Sequence, residues 1–260
     1  MVSLLRCQGL AIGYSGQTIG ADINLQLVAG EVMALLGPNG CGKTTLFRTL
    51  LGLIPAKQGA VLIDDRPLVD LSRRDIARRI AYVPQAQQGS FSYTVMDIVV
   101  MGRAAWRPVF SGPAEADKKI ARQALAQLNI ESLAEREYQR LSGGQRQLVL
   151  IARALAQQAA VIVMDEPTAS LDFGNQSLVI DKVRALADSG LAILLSTHEP
   201  DHAFACADQV ALMRNGRICA QGNPADVLTD QALSGIYQVP VQVEVLPDGR
   251  RVCLTKIGRL

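Results

Sequence analysis

The stretch Gly37–Thr45, GPNGCGKTT, has the residue types and spacing of a phosphate-binding loop. Gly37, Gly42, Lys43 and Thr44 fit the pattern GxxxxGK[ST]. Glycines permit positive φ and bring bare backbone close to a ligand. The N–H groups of such a loop converge on an anion at a helix N-terminus. Lys43 can reach the β- and γ-phosphates of a nucleotide, and the Thr44 hydroxyl can bind Mg²⁺. The plain alternative is a glycine-rich turn between strand and helix. The apolar run Val32–Leu36 before the loop, and Leu46, Phe47, Leu50 and Leu51 at helical spacing after it, supply the strand–loop–helix setting the pattern requires.

Further groups could do chemistry with a nucleotide. Val161–Met164 is fully apolar, as expected for a central parallel strand, and it ends in Asp165-Glu166. Two carboxylates at the end of a buried strand are costly unless they have work. Successive strand residues point to opposite faces, so one can serve Mg²⁺ while the other faces a water. Leu141-Ser142-Gly143-Gly144-Gln145 precedes an amphipathic helix with Leu148, Ile151, Ala152 and Leu155 on one side. Ser142 is a natural N-cap there, and the uncovered N–H groups form a second anion site; read alone, it is an ordinary capped helix. His198 follows the apolar run Leu191–Leu195, at the strand edge where open α/β sheets bind ligands. Pro200 lies between His198 and His202 and argues against a helical metal pair. Gln85 ends the strand Ala81–Gln85 and reads alone as a loop residue. Tyr14 could be a half-buried strand-end aromatic or a stacking platform for adenine.

These groups need a scaffold, and the rest of the chain supplies one. With 260 residues, 49% of them hydrophobic, the chain can bury one large domain. A formal net charge of +2 gives no global pull toward nucleic acid or anionic lipid. The five cysteines are scattered, with no CxxC, which argues against a disulfide framework or a zinc site and suits a reducing cytosol. The N-terminus has neither a basic lead nor a long apolar segment, and no uncharged apolar run reaches the ~18 residues of a membrane span. Strand-like runs are expected at Ser3–Cys7, Ile23–Val28 and Gly59–Ile63, with a turn at Asp64–Pro67 and a short basic helix over 72–80 capped by Ser72. From 86 to 140 helical patterns replace strands. Pro113 opens a helix whose Ile120, Ala124, Leu125 and Leu128 share a face. Residues 224–237 read as one helix, and the turn Pro247–Arg250 closes a hairpin between 238–245 and 251–254.

In order along the chain, these motifs resemble those of the ATP-binding subunit of an ATP-binding-cassette (ABC) transporter, over about residues 1–225. Gly37–Thr44 is similar to the Walker A loop and Val161–Glu166 to Walker B. Gln85 resembles the Q-loop glutamine, Leu141–Gln145 the LSGGQ signature, Ser170-Leu171-Asp172 the D-loop and His198 the switch histidine. The resemblance implies an α/β P-loop fold with a mainly parallel sheet, an N-terminal antiparallel β subdomain and an inserted helical subdomain. As one domain over 1–260, it would divide into 1–85 with 158–225 (core and β subdomain), 86–157 (helical, with the signature) and 226–260 (C-terminal helix and hairpin). It implies nucleotide contacts from Tyr14, Gly37, Asn39, Gly40, Cys41, Gly42, Lys43, Thr44 and Thr45. In a head-to-tail homodimer, further contacts come from Ser142, Gly143, Gly144, Gln145 and Asp172. Glu166, His198 and Lys43 are the implied catalytic groups, and Thr44, Gln85 and Asp165 the Mg²⁺ set.

Phe91, Thr94-Val95, Asp97-Ile98-Val99, Met101-Gly102-Arg103 and Leu171–Gln176 resemble importers of iron–siderophore complexes, haem and cobalamin. Zinc, manganese and molybdate importers share part of this pattern. A soluble ABC ATPase of DNA repair or translation is the weaker alternative, since neither a coiled-coil nor a zinc insertion is visible. The resemblance implies integral-membrane permease partners, a periplasmic or lipid-anchored binding protein acting indirectly, no nucleic acid, and a place at the cytoplasmic face of the inner membrane. Phe91, Tyr93 and Trp106 are the expected permease-facing aromatics. Cys41 reads first as a small loop residue; its place near Lys43 and the loop amides can also lower the thiol's pKa, which makes a reactive thiol there the second expectation.

Overall fold

Val32–Leu36 is apolar at every position because both of its faces are covered. Val32, Ala34 and Leu36 enter one hydrophobic core, Met33 and Leu35 the other. The same alternation splits Val161–Met164 and Ala192–Leu195 between the two cores. A continuous apolar run is the pattern of a parallel strand buried on both sides.

The computed structural model describes residues 3–85, 92–108 and 111–255. Its strands are β1 (Ser3–Tyr14), β2 (Gln17–Val28), β3 (Val32–Leu36), β4 (Gln58–Ile63), β5 (Arg66–Pro67) and β6 (Ile80–Val83), then β7 (Val161–Met164), β8 (Ala192–Thr197), β9 (Gln209–Arg214), β10 (Arg217–Gly222), β11 (Val241–Val245) and β12 (Arg251–Thr255). The helices are α1 (Lys43–Leu50), α2 (Arg73–Arg79), α3 (Val95–Val100), α4 (Glu115–Gln127) and α5 (Gly143–Ala156), then α6 (Phe173–Asp188), α7 (Pro200–Cys206), α8 (Pro224–Val227) and α9 (Asp230–Tyr237). A six-stranded sheet runs β10-β9-β3-β8-β7-β6, parallel from β9 to β6. A four-stranded antiparallel sheet, β2-β1-β4-β5, covers one face. Helix α1 is sandwiched between the two sheets through Leu46, Phe47 and Leu50. Helices α3–α7 share the core on the other face. This is the α/β P-loop architecture expected from the motifs.

Several elements differ from the sequence reading. β1 and β2 extend well beyond Ser3–Cys7 and Ile23–Val28 and pair as a long hairpin. Gly9 has φ 51°, and the register shifts between Cys7 and Leu10. That bulge breaks the alternation by which the strand would be read. Pro113 lies outside its helix; α4 begins at Glu115, and the Asp117 carboxylate accepts from the Ala114 N–H at 3.1 Å. β8 continues past Leu195 through the buried Ser196 and Thr197. The helix expected over 224–237 is broken, because Thr229 caps α9 by accepting from the Ala232 N–H at 3.3 Å. Ser72 does cap α2, accepting from the Asp75 N–H at 3.1 Å.

The turn after α3 is tied down by a buried ion pair. Arg103 donates from Nε to Asp117 Oδ1 at 3.2 Å, and from Nη1 to Ala156 O at 2.9 Å and Gln158 Oε1 at 2.8 Å. Trp106 covers it, with its Nε1 donating to Gln157 O at 2.7 Å and the guanidinium carbons of Arg78 and Arg103 4.8 and 5.3 Å from the ring centroid. Trp106 therefore stitches its turn to α2 and α5. Breaking one half of a buried pair leaves an uncompensated charge, so Arg103→Leu should lower stability by about 3 kcal/mol. Urea unfolding of the full chain measures this.

Candidate active site

The chemistry-bearing residues gather where β3, β7 and β8 end side by side. β3 pairs β8, and β8 pairs β7, all parallel, so the three chains leave the sheet at one edge. From β3 comes the loop Gly37–Thr45. Gly42 stands at φ 114° with Met213 Cε only 2.9 Å from where a Cβ would lie, so both backbone and space demand glycine. Gly42 also precedes the first turn of α1, whose N–H groups therefore open toward this edge. Lys43 is 6% exposed; its Nζ donates to Gly37 O at 2.7 Å and Pro38 O at 3.3 Å. Glu166 Oε1 lies 3.9 Å from that ammonium.

From β7 come Asp165 and Glu166. Asp165 Oδ2 accepts from Thr44 Oγ1 at 3.2 Å and Tyr82 OH at 3.5 Å. Burial, and then the charge of Asp165, push the Tyr82 phenol up to about 12. Ser196, the penultimate residue of β8, donates from Oγ to Asp165 Oδ1 at 2.8 Å and accepts from the Glu166 N–H at 2.9 Å. One hydroxyl thus fixes both acidic residues. The carboxylates do face different partners, but simple strand alternation is not the reason. β7 ends at Met164, and Glu166 has φ 47°, a left-handed conformation costly for a side-chain-bearing residue. That turn aims Glu166 at Lys43 on one side and at His198, whose Nδ1 is 3.8 Å from Oε2, on the other.

Tyr14, at the end of β1, is 42% exposed, and its hydroxyl accepts from Arg48 Nη1 at 3.0 Å. Hydrogen bonds from Thr45 and Arg48 hold the phenol below the ordinary tyrosine range. This places an exposed aromatic beside α1. Gln85 is exposed, two residues past the end of β6. Cys41 is buried, and that burial raises its thiol against the opposing pull of Lys43, so the expectation of a reactive thiol is corrected.

Ser142–Gln145 and Asp172 stand apart from this cluster; no hydrogen bond or ion pair among the described residues joins their side chains to Lys43, Thr44, Asp165 or Glu166. Ser142 and Gln145 form a capping box, Oγ accepting from the Gln145 N–H at 3.3 Å and Oε1 accepting from the Ser142 N–H at 3.2 Å. Asp172 caps α6, accepting from the Asn175 N–H at 2.9 Å, and these bonds hold its carboxyl below the usual carboxylate range. A Cβ at Gly144 would overlap the Asn175 side chain, so the two capped helix starts pack directly on each other. Ser196 and Tyr82 are the site residues that sequence reading passed over. A serine at the end of an otherwise apolar strand was the available signal for the first; for Tyr82 there was none.

Residues 21–169, more than half of the chain, match the ABC transporter family. The chain belongs to that family. An uncharacterised ABC transporter ATP-binding protein of Haemophilus influenzae is 44% identical over 91% of this chain and 90% of its own length. The hemin import ATP-binding protein HmuV of Streptomyces coelicolor is 40% identical, over 90% of this chain and 83% of its own. The molybdate import ATP-binding protein MolC of Haemophilus influenzae is 36% identical, over 93% and 90%. Among solved structures, an inward-facing transporter described as of the metal-chelate type superposes with TM-score 0.87 at 33% identity, covering 99% of this chain and 98% of that one. This protein is accordingly an ABC ATPase, and it binds and hydrolyses ATP as the family does. ABC subunits of this kind work as dimers with membrane permeases, and none of the described helices here is long and apolar enough to cross a membrane.

Ser196→Ala would leave the Glu166 N–H without its partner and remove a bond to a carboxylate, each worth about 1–3 kcal/mol. The ABC ATPase should then lose about tenfold in kcat with little change in KM for ATP, as read by steady-state phosphate release. Peptide mass spectrometry after brief maleimide treatment should find the exposed Cys219 modified well before Cys41.

Proposed function

We propose that this chain is the ATPase subunit of an importer for haem, an iron–siderophore complex or a cobalamin-type chelate, held at the cytoplasmic face of the membrane by its permease. The observation that carries the cargo class is the match to hemin import ATP-binding proteins over at least four-fifths of both chains, supported by the likeness to a metal-chelate type transporter. The match to a molybdate import protein of similar length favours an oxyanion importer as the second reading.

The roles proposed for the residues follow the family's motifs, and the geometry is compatible with them. The amides of Gly37–Thr45 and Lys43 hold the phosphates, with Tyr14 beside the base. Thr44 and Asp165 present hard oxygen donors 3.2 Å apart, a donor set that fits Mg²⁺, with Gln85 as a further oxygen from the end of β6. Bound there, Mg²⁺ would neutralise charge on the phosphate oxygens. Glu166, between Lys43 and His198, orients or deprotonates the attacking water, and His198 contacts the γ-phosphate. Phosphoryl transfer needs mostly positioning and charge stabilisation, which this set supplies. Ser142–Gln145 and Asp172 are surplus within one chain. In a head-to-tail homodimer, the signature segment of one copy closes over the nucleotide of the other.

We take 1–85 with 158–225 as the catalytic body, 86–157 as a helical arm and 226–260 as an appended brace. Between body and arm lies a groove of about 430 Å³ walled by Leu53, Arg73, Ile76, Met101, Arg153 and Gln157. Leu53 is 65% exposed and Met101 43%. The 14-residue α5 runs from the signature cap to this groove, a rigid rod of about 21 Å. A permease helix seated in the groove would move the signature through α5. The coupling surface therefore shifts from the aromatics toward Leu53 and Met101. Tyr93, 41% exposed, could flank it; Trp106 is committed to its turn, and Phe91 lies outside the described residues.

Glu166→Gln should retain ATP binding and lose at least about 100-fold in kcat, the usual yield of a general base. Lys43→Ala should weaken ATP binding about 10- to 100-fold through the loss of charge-assisted bonds. Near-normal turnover in the first, or unchanged affinity in the second, would remove that assignment. Leu53→Glu should spare ATP binding but lower recovery of the permease when the chain is purified from membranes. Transport by the recovered complex, assayed with haem against molybdate, separates the two cargo readings.

A further inference from the structure

Ser196 ties the β7 and β8 ends together at their base, and a second polar group ties the loops that follow them. His202, in the first turn of α7, has a side chain only 12% exposed. Its Nδ1 lies 3.3 Å from Thr168 Oγ1 and 3.5 Å from Thr197 Oγ1, and its Nε2 lies 3.2 Å from Glu199 Oε2. Thr168 is buried in the turn that leads from Glu166 to Asp172. Thr197 is the last residue of β8, immediately before His198. The other oxygen of Glu199 lies 3.8 Å from His198 Nε2 and accepts from Gln176 Nε2, on α6 behind Asp172, at 3.4 Å.

The chemistry of the partners orients the ring. A carboxylate of this kind only accepts, so Nε2 carries the proton and Nδ1 accepts from a threonine hydroxyl. Burial holds the imidazole below the ordinary histidine range, against the pull of Glu199, which favours this neutral, one-donor, one-acceptor form. The turn it grips needs holding: Glu166 has φ 47° and Ser170 φ 64°, left-handed positions that persist only where the surroundings over-determine them. The helix carrying His202 is itself anchored, since Asp201 Oδ1 accepts from the Cys253 N–H of β12 at 2.8 Å.

We propose that His202 is a positioning residue for ATP hydrolysis: with Thr168 and Glu199 it clamps the loop bearing His198 to the turn that joins Glu166 to Asp172. The inference rests on the roles proposed above for Glu166 and His198. It gives the C-terminal hairpin a purpose as well, as the outer support of the helix that carries the clamp.

The test uses the purified full chain with MgATP. His202→Leu keeps the bulk and loses both nitrogens; kcat should fall about tenfold while KM for ATP stays within about twofold. His202→Gln, whose amide can donate to Glu199 and accept from Thr168, should recover most of that loss. Thr168→Val removes the same contact from the other side, and the double variant should lose no more than the worse single. Wild-type kcat in His202→Leu, no recovery in His202→Gln, KM rising in step with the fall in kcat, or a multiplicative loss in the double variant overturns the clamp. Should His202→Leu not fold, Thr168→Val and His202→Gln decide by the same measurements: a tenfold fall in the first with near-normal kcat in the second supports the clamp, and any other pairing overturns it. Glu166→Gln run alongside separates the two levels. Normal turnover there sinks the site assignment itself, whereas a dead Glu166→Gln beside a normal His202→Leu sinks only the clamp.

Discussion

The central sheet is buried on both faces, and the rest of the site depends on that constraint. Along β3, β7 and β8 nearly every side chain enters one of two cores, so a polar group inside these strands would lack water and partners. Chemistry can begin only where the strands stop. The order β3-β8-β7 then places the ends side by side, and the phosphate loop, the acidic pair and His198 meet at one edge without any long loop having to reach across.

At that edge the charges are held by short, specific contacts. Lys43 is almost fully buried, yet its ammonium meets two loop carbonyls and faces Glu166. Asp165 accepts from Thr44, Ser196 and, at longer range, Tyr82. These bonds offset desolvation and leave the carboxylates aimed in different directions. The left-handed turn at Glu166 is the local strain that such an arrangement requires, and Ser196 secures it from the neighbouring strand. Catalysis by preorganised electrostatics depends on groups that need not move when charge develops.

The helical arm solves a different problem. Its buried Arg103–Asp117 pair and the Trp106 cover fix α4, α5 and the turn between α3 and α4 as one piece. The Ser142 cap at one end of α5 and the groove wall at the other therefore belong to one rigid piece. The capped helix start at Ser142–Gln145 stands apart from the cluster around Lys43 and Glu166, which is why its use by a second copy belongs to the proposed function.

Much of the candidate site was legible in the sequence because its elements are local. A glycine loop, an apolar strand ending in two acids, and a serine before two glycines each carry their physical reason within a few residues. The same runs pointed to an α/β core, since a fully apolar strand demands a covered parallel sheet, while the P-loop arrangement was implied by the ordered motifs and their family resemblance. What the tertiary structure decided were the non-local matters. The bulge at Gly9 concealed the length of β1, and the cap at Thr229 divided a helix that periodicity joined. Burial outweighed Lys43 at Cys41, because proximity to a cation is visible in sequence and desolvation is not. Ser196 and Tyr82 reach Asp165, and His202 reaches Thr168, only when elements more than thirty residues apart become neighbours. Trp106 reads as a free aromatic until Gln157, Arg78 and Arg103 close around it. Sequence by itself determined which chemical groups exist and which backbone presents them; packing decided their charge, their direction and which of them touch.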